Sequence, residues 1–203
     1  MRSPLVASTA LCLAAIGLAA CGSSSTPAAE SASSTASSAA LPECSAGASL
    51  IEQTEGPYYT PGAPERTDIT DDAPGTPMLL TGYVLDRQCQ PVVGATLDFW
   101  QADGQGAYDN TGFVLRGIQT TDSSGAYTLN TVIPGQYPGR TEHIHVKVTP
   151  PGGPTYTTQL YLPDSPTNAQ DRIYVPGMEI TIVSASSDTM TAAFDFVLPG
   201  GAP

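Results

Sequence analysis

The chain has 203 residues, enough for one domain with a sizeable core and too few for two comfortable ones. Seven basic residues against nineteen acidic ones leave a formal charge of -12, which excludes the clustered Lys and Arg that a nucleic-acid partner needs. Charged residues make up only 13%, and 20 glycines with 19 prolines favour a turn-rich β fold over a helical one.

The chain begins with a positive dipeptide, Met1-Arg2, and an apolar run from Pro4 to Ala20, the form of a secretory signal. The run ends in Leu18-Ala19-Ala20-Cys21-Gly22, which resembles a bacterial lipobox. Residues 1–20 are therefore expected to be a lipoprotein signal peptide, with Cys21 as the lipidated residue. Residues 21–40, dominated by Ser, Ala and Thr, cannot bury a core and are expected to form a flexible tether. A domain over 41–203 would then sit outside the cytoplasmic membrane on a lipid anchor, with no second apolar run long enough to cross a bilayer. Cys12 leaves with the signal, so Cys44 and Cys89 remain as an even pair in an oxidising compartment, read here as a disulfide.

From Pro77 onward, β-branched and aromatic residues alternate in short runs separated by turn signals. The expected strands are Met78–Leu85, Ala95–Gln101, Phe113–Thr121, Ala126–Val132, His143–Thr149, Tyr156–Leu162, Met178–Val183 and Met190–Leu198. Turns such as Asp122-Ser123-Ser124-Gly125 and Pro150-Pro151-Gly152-Gly153 divide them. No persuasive 3.6-residue stripe interrupts the series. Eight strands at this spacing indicate an all-β fold, an antiparallel β-sandwich with long Gly/Pro-rich loops.

The chemistry concentrates in the fifth strand. The only two histidines fall in Glu142-His143-Ile144-His145-Val146-Lys147-Val148. Residues i and i+2 of a strand share a face, so both imidazoles leave one side while Ile144, Val146 and Val148 face the core. Two histidines exclude any three-histidine site. Two histidines plus a carboxylate would give a ferrous facial triad, which nineteen acidic residues leave open. The other nearby resource is tyrosine. Tyr108 follows Gly104-Gln105-Gly106-Ala107, and Tyr137 sits in Pro134-Gly135-Gln136-Tyr137-Pro138-Gly139-Arg140, both in loops where function concentrates.

These segments resemble the intradiol ring-cleavage dioxygenases. Thr54-Glu55-Gly56-Pro57-Tyr58-Tyr59, Leu97-Asp98-Phe99-Trp100-Gln101-Ala102 with Tyr108, and Tyr137-Pro138-Gly139-Arg140-Thr141-Glu142-His143-Ile144-His145 carry the resemblance. It implies a ferric iron, Fe(3+), held by Tyr108, Tyr137, His143 and His145. It implies that Tyr137 is displaced by substrate, and that Arg140 and Gln159 stand near it. The implied reaction opens a catechol-type aromatic with O2 to a muconic-type diacid. Phenolates are hard donors that suit ferric iron, which gives the implied ligand set independent chemical sense.

Each residue also has a plainer reading. Arg140 could pair with Glu142 at the surface, and Gln159 could face solvent. Trp100 reads as core or pocket wall, Lys147 as lying beyond the pocket, and Tyr58 and Tyr59 as packing the amino-terminal segment over the site. Family members often carry a helical dimerisation segment, whereas only the tether precedes this sandwich, so an oligomer is left open. A second class also fits part of the chain. Gly82-Tyr83-Val84-Leu85-Asp86 and Thr121-Asp122-Ser123-Ser124-Gly125-Ala126-Tyr127 resemble the non-catalytic sandwich modules of carboxypeptidases, which bind or space.

Overall fold

The computed structural model describes Cys44 and residues 49–200; the expected signal, the lipidated Cys21 and the tether lie outside the described residues. Among the described residues no helix is long and apolar enough to cross a membrane.

Alternation produces two stacked sheets. The first holds β1 (Pro77–Leu85), β4 (Ala126–Val132), β7 (Thr181–Ala185), β8 (Met190–Ala193) and β9 (Phe196–Val197). The second runs in the order β3 (Arg116–Thr120), β2 (Thr96–Gln101), β5 (His143–Thr149), β6 (Tyr156–Tyr161), all antiparallel. Met78, Leu80, Val84 and Leu129 from the first sheet meet Leu97, Phe99, Ile144, Val146, Val148 and Leu160 from the second, and all are buried. Phe99 and Tyr127 touch across the layers with ring centroids 5.8 Å apart. Each such side chain, taken fully out of water, contributes about 2–3 kcal/mol. This core holds the β5 backbone in place.

The sandwich is the expected one, but its details depart from the expected strands. Met190–Leu198 is broken at Phe194-Asp195 into β8 and β9, and both halves lie parallel to β1. Asp195 fills the break by accepting the Tyr83 N–H at 2.9 Å, and the Phe194 carbonyl accepts from Tyr127 Oη at 2.8 Å. That carbonyl approaches Gly82 so closely that a Cβ there would lie 1.8 Å from it, which accounts for a glycine inside a strand. The expected strand from Met178 begins only at Thr181. Met178 and Ile180 instead exchange backbone bonds of 3.0 and 2.9 Å with Tyr161, on the other sheet. The expected strand from Phe113 begins at Arg116, because Leu115 takes a positive φ of 56° and Arg66 holds the Phe113 and Arg116 carbonyls.

The outer face of the second sheet is covered as well. Gln53 N–H bonds the Thr157 carbonyl at 2.8 Å on β6, and Arg66 N–H bonds the Ile118 carbonyl at 2.8 Å on β3. The segment from Gln53 to Arg66 is thus anchored to both edges of this sheet, across the face that carries His143 and His145. Cys44 and Cys89 form the expected disulfide, tying a point upstream of this strap to the turn after β1.

Candidate metal centre

β5 sends both imidazoles to its outer face, where they are 2% and 1% exposed. The neighbouring strands supply their surroundings by register: Trp100 of β2 and Gln159 of β6 lie opposite His145, and Tyr161 lies opposite His143. Two loops bring in the tyrosines. After β2, Asp103 Oδ1 accepts the Gln105 and Ala107 N–H groups at 2.8 and 3.0 Å, turning the chain sharply. Asp109 then gathers the N–H groups of Thr111, Gly112 and Val114 at 2.8–3.0 Å, which holds its carboxyl down at a pKa of about 2. Arg116 donates to the Asp109 carbonyl from Nε and Nη2 at 3.1 and 2.8 Å. Tyr108 is therefore fixed on both sides. Its loop abuts the Tyr137 loop at Gly106, where φ is +83° and a Cβ would lie 2.1 Å from the Gln136 carbonyl, so only glycine fits.

The four side chains converge. His143 Nε2 lies 3.1 Å from His145 Nε2, 3.4 Å from Tyr108 Oη and 3.5 Å from Tyr137 Oη. Donor atoms about 2.0–2.1 Å from a shared ion, at angles between square and trigonal, stand about 2.9–3.6 Å apart. The observed separations fit that range. Among the described residues no carboxylate joins the pair, since no group of three or more His, Cys, Asp or Glu gathers anywhere. The described residues therefore hold no triad of two histidines and a carboxylate, and the oxygens beside the imidazoles are those of the two tyrosines.

Electrostatics suit the same purpose. Burial, and then the Arg140 guanidinium, push His143 down to about 4, and burial with His143 beside it holds His145 well below its ordinary value. Both imidazoles are neutral near pH 7. His143 donates Nδ1–H to the Thr141 carbonyl at 2.6 Å, which leaves the Nε2 lone pair facing the cluster. Among the described residues His145 Nδ1 has no hydrogen-bond partner, and Trp100 stacks on this ring at 4.7 Å and 8°. Burial raises the Tyr108 and Tyr137 phenols in the metal-free protein. A cation at their convergence point would reverse that direction.

Arg140 pairs with Asp171 at 2.9 Å rather than with Glu142, whose carboxylate is taken by Gln136, Thr141 and Ser165. Burial works to lower the Arg140 pKa, but Asp171 and Tyr137 outweigh it and hold it above its ordinary value. Its Nη1 donates to Tyr137 Oη at 3.2 Å and its Nη2 to Gln159 Oε1. Gln159 is fully buried, not solvent-facing, and its Nε2 donates to the Thr54 carbonyl of the strap at 2.9 Å. Tyr58 stacks on Tyr108 at 4.3 Å and meets Tyr137 edge-on at 6.0 Å, so the strap does lie over the cluster. Lys147 sits farther along the same face, paired with Glu55 at 2.5 Å and resting on the Tyr59 ring. A cavity of about 340 Å³ opens beside Tyr137 and Arg140, bounded also by Thr167 and Asp171. Sequence reasoning missed Asp171, one acid among nineteen, and the stack of Trp100 on His145, which only the β2–β5 register reveals.

Two buried histidines from one strand and two loop tyrosines thus converge over the outer face of the second sheet of a β-sandwich. Comparison with known proteins gives the family. The Dioxygenase family model matches residues 54–200, and the chain belongs to the intradiol ring-cleavage dioxygenases. It is 32% identical over 146 residues to a hydroxyquinol 1,2-dioxygenase of Rhizobium sp., covering 59% of this chain and 50% of that protein. The dioxygenase domain of a dioxygenase–carbohydrate-binding fusion from Streptomyces sp. SirexAA-E is 49% identical. It aligns with a TM-score of 0.71 over 74% of this chain and 97% of that one. An intradiol ring-cleavage dioxygenase from Tetranychus urticae is 29% identical with a TM-score of 0.66, over 73% and 94% of the two chains. The chain spans about half the length of the curated relatives it matches.

Proposed function

We propose that the protein is a non-haem Fe(III)-dependent intradiol dioxygenase that opens catechol-type aromatics with O2 to muconic-type diacids. The observation that carries this reading is the convergence of His145 Nε2, Tyr108 Oη and Tyr137 Oη, each 3.1–3.5 Å from His143 Nε2. Two neutral imidazoles, which suit iron, and two phenols that would bind as hard phenolates form a donor set that suits ferric iron. Bound there, the ion would supply Lewis-acid and redox chemistry toward a chelated catecholate and O2.

The chain's own residues do the rest. With the ion held there, Tyr137 would be ionised and would be the donor that gives way: its oxygen, held by Arg140 Nη1, would accept a substrate hydroxyl proton. Tyr108, clamped by the Asp103 and Asp109 turns, stays put with the two histidines. Arg140, fixed before substrate arrives, offsets negative charge developing on the ring oxygens. Gln159 braces that guanidinium and tethers the strap, and Tyr58 screens the cluster from water. Catechol and hydroxyquinol 1,2-dioxygenases among the relatives support a small aromatic ring with two adjacent hydroxyls as substrate. We place the activity outside the cytoplasmic membrane, on a lipid anchor at Cys21. The signal-like start of the chain and the Cys44–Cys89 disulfide, of a kind kept in oxidising compartments, support this.

The test is the visible spectrum of the purified protein after loading with ferric iron. A broad tyrosinate-to-iron band that shifts when catechol is added without oxygen is the expected result. A colourless protein that takes up no iron would overturn the reading and favour a non-catalytic sandwich module.

A further inference from the structure

The guanidinium of Arg140 is held from a side that the reaction itself does not explain. Asp171 lies in the loop after β6, with its side chain only 1% exposed. Its Oδ2 accepts from Arg140 Nε at 2.9 Å and from the Thr141 N–H at 3.1 Å, and its Oδ1 accepts the Ile173 N–H at 3.0 Å. Thr141 is the residue whose carbonyl receives His143 Nδ1–H, so one carboxylate braces two parts of the centre. Toward Arg140 it fixes the Nε edge, leaving Nη1 for Tyr137 and Nη2 for Gln159. Toward His143 it anchors the backbone N–H of Thr141, the residue whose carbonyl sets the ring's tautomer and tilt. The circuit closes through the same loop: Tyr161 Oη lies 3.0 Å from the Ile173 carbonyl and 3.3 Å from Gln159 Oε1.

We infer that Asp171 is a positioning residue: it aims Arg140 at Tyr137 and the substrate, and it anchors Thr141, the residue whose carbonyl orients His143. The inference rests on the dioxygenase reading above. A carboxylate suits this place because every group presented to it is a donor and one carries charge, so its hydrogen bonds are of the stronger, charge-assisted kind. An amide of the same size must turn an NH2 toward donors on one side or the other, and cannot satisfy Arg140 Nε, Thr141 N–H and Ile173 N–H together.

The experiment compares wild type, Asp171→Asn and Thr121→Val. Thr121 is a buried hydroxyl that bonds Val92 and Ala95 away from the centre, and its variant serves as a control for lost stability alone. In the metal-free proteins, 1H–15N spectra should show a slowly exchanging Arg140 Nε–H in wild type and Thr121→Val, and lose it in Asp171→Asn. In the ferric proteins, Asp171→Asn should shift the visible band and weaken anaerobic catechol binding about tenfold or more, the loss expected for one charge-assisted bond. Thr121→Val should lower the melting temperature while keeping the wild-type band and affinity. The role is overturned if Asp171→Asn keeps both band and affinity, or if Thr121→Val changes them equally. A wild-type protein that neither takes up iron nor colours would overturn the dioxygenase reading itself, and the positioning role with it. That failure is seen in wild type, and so is distinct from one confined to the variant.

Discussion

His143 and His145 stand two residues apart on one strand face, yet they are held by different means. His143 has the usual brace of a metal-binding imidazole, an Nδ1–H donated to a carbonyl, here Thr141. His145 has none among the described residues, and the parallel indole of Trp100 takes over the task of setting its ring plane. Replacing Trp100 with Leu should therefore weaken iron retention about tenfold, the lower end of what loss of an orienting partner costs. Phe, which keeps a flat face, should largely restore it. Competition against a chelator, followed by visible absorbance, measures both. Tyr137 makes a contrasting case, because its proposed role is to leave. Tyr137→Phe should retain iron on the other three donors while kcat/KM for catechol falls about a hundredfold, the loss of one positioned proton acceptor. A variant of full activity would remove that role from Tyr137.

At the scale of elements, alternation along the sequence located the strands and even the face on which the chemistry sits. His143 and His145 point away from Ile144, Val146 and Val148 as the two-residue period requires. What alternation could not supply was pairing. The parallel run of β8 and β9 beside β1 depends on Asp195 and the Phe194 carbonyl filling a break, and neither residue differs in pattern from its neighbours. The start of β3 is likewise set by Arg66 and Asp109, more than forty residues apart, reaching the same loop. The turn between β3 and β4 was legible, because Asp-Ser-Ser-Gly carries its own chemistry. Asp122 Oδ1 accepts from Ser124 Oγ, Ser124 N–H and Ala126 N–H at 2.7–3.0 Å, and these bonds hold its carboxyl below the ordinary range. A depressed folded-state pKa contributes stability above the unfolded pKa and loses it as pH falls through the folded one. Asp122→Ala should thus cost about 1 kcal/mol near neutrality. The gap to wild type should narrow in urea melts as pH drops below about 4, where the unfolded carboxyl titrates. A gap that stayed constant down to pH 2 would show that packing, not the carboxylate, fixes the turn.

For the whole molecule, the second sheet is enclosed on both sides: core lies on one face, and loops with the Gln53–Arg66 strap cover the other. The sequence suggested that Tyr58 and Tyr59 would pack over the site, but not how the strap is fastened, since its fasteners lie on distant strands. Gln53 Nε2 reaches Thr158 Oγ1 and the Gln159 carbonyl at 3.1 and 3.0 Å, and Gln159 Nε2 holds the Thr54 carbonyl. Tyr59 Oη donates to Asp98 at 2.8 Å. Farther upstream, Leu50 N–H bonds the Val197 carbonyl at 2.7 Å, and Cys44 is joined to Cys89 across 45 residues of sequence. The disulfide is therefore one anchor in a series, placed before the bonds that fix the residues nearest the centre. Its chief effect belongs to the unfolded chain, where closing a loop of that length is worth up to about 4 kcal/mol and in practice less. A Cys44→Ser, Cys89→Ser protein should melt at lower temperature and in less urea. Loaded with ferric iron, it should keep the wild-type visible band and catechol affinity at temperatures where it remains folded. If the folded variant instead lost the band, the bonds from Gln53 to Tyr59 would not hold the strap unaided, and the disulfide would count as part of the centre's support.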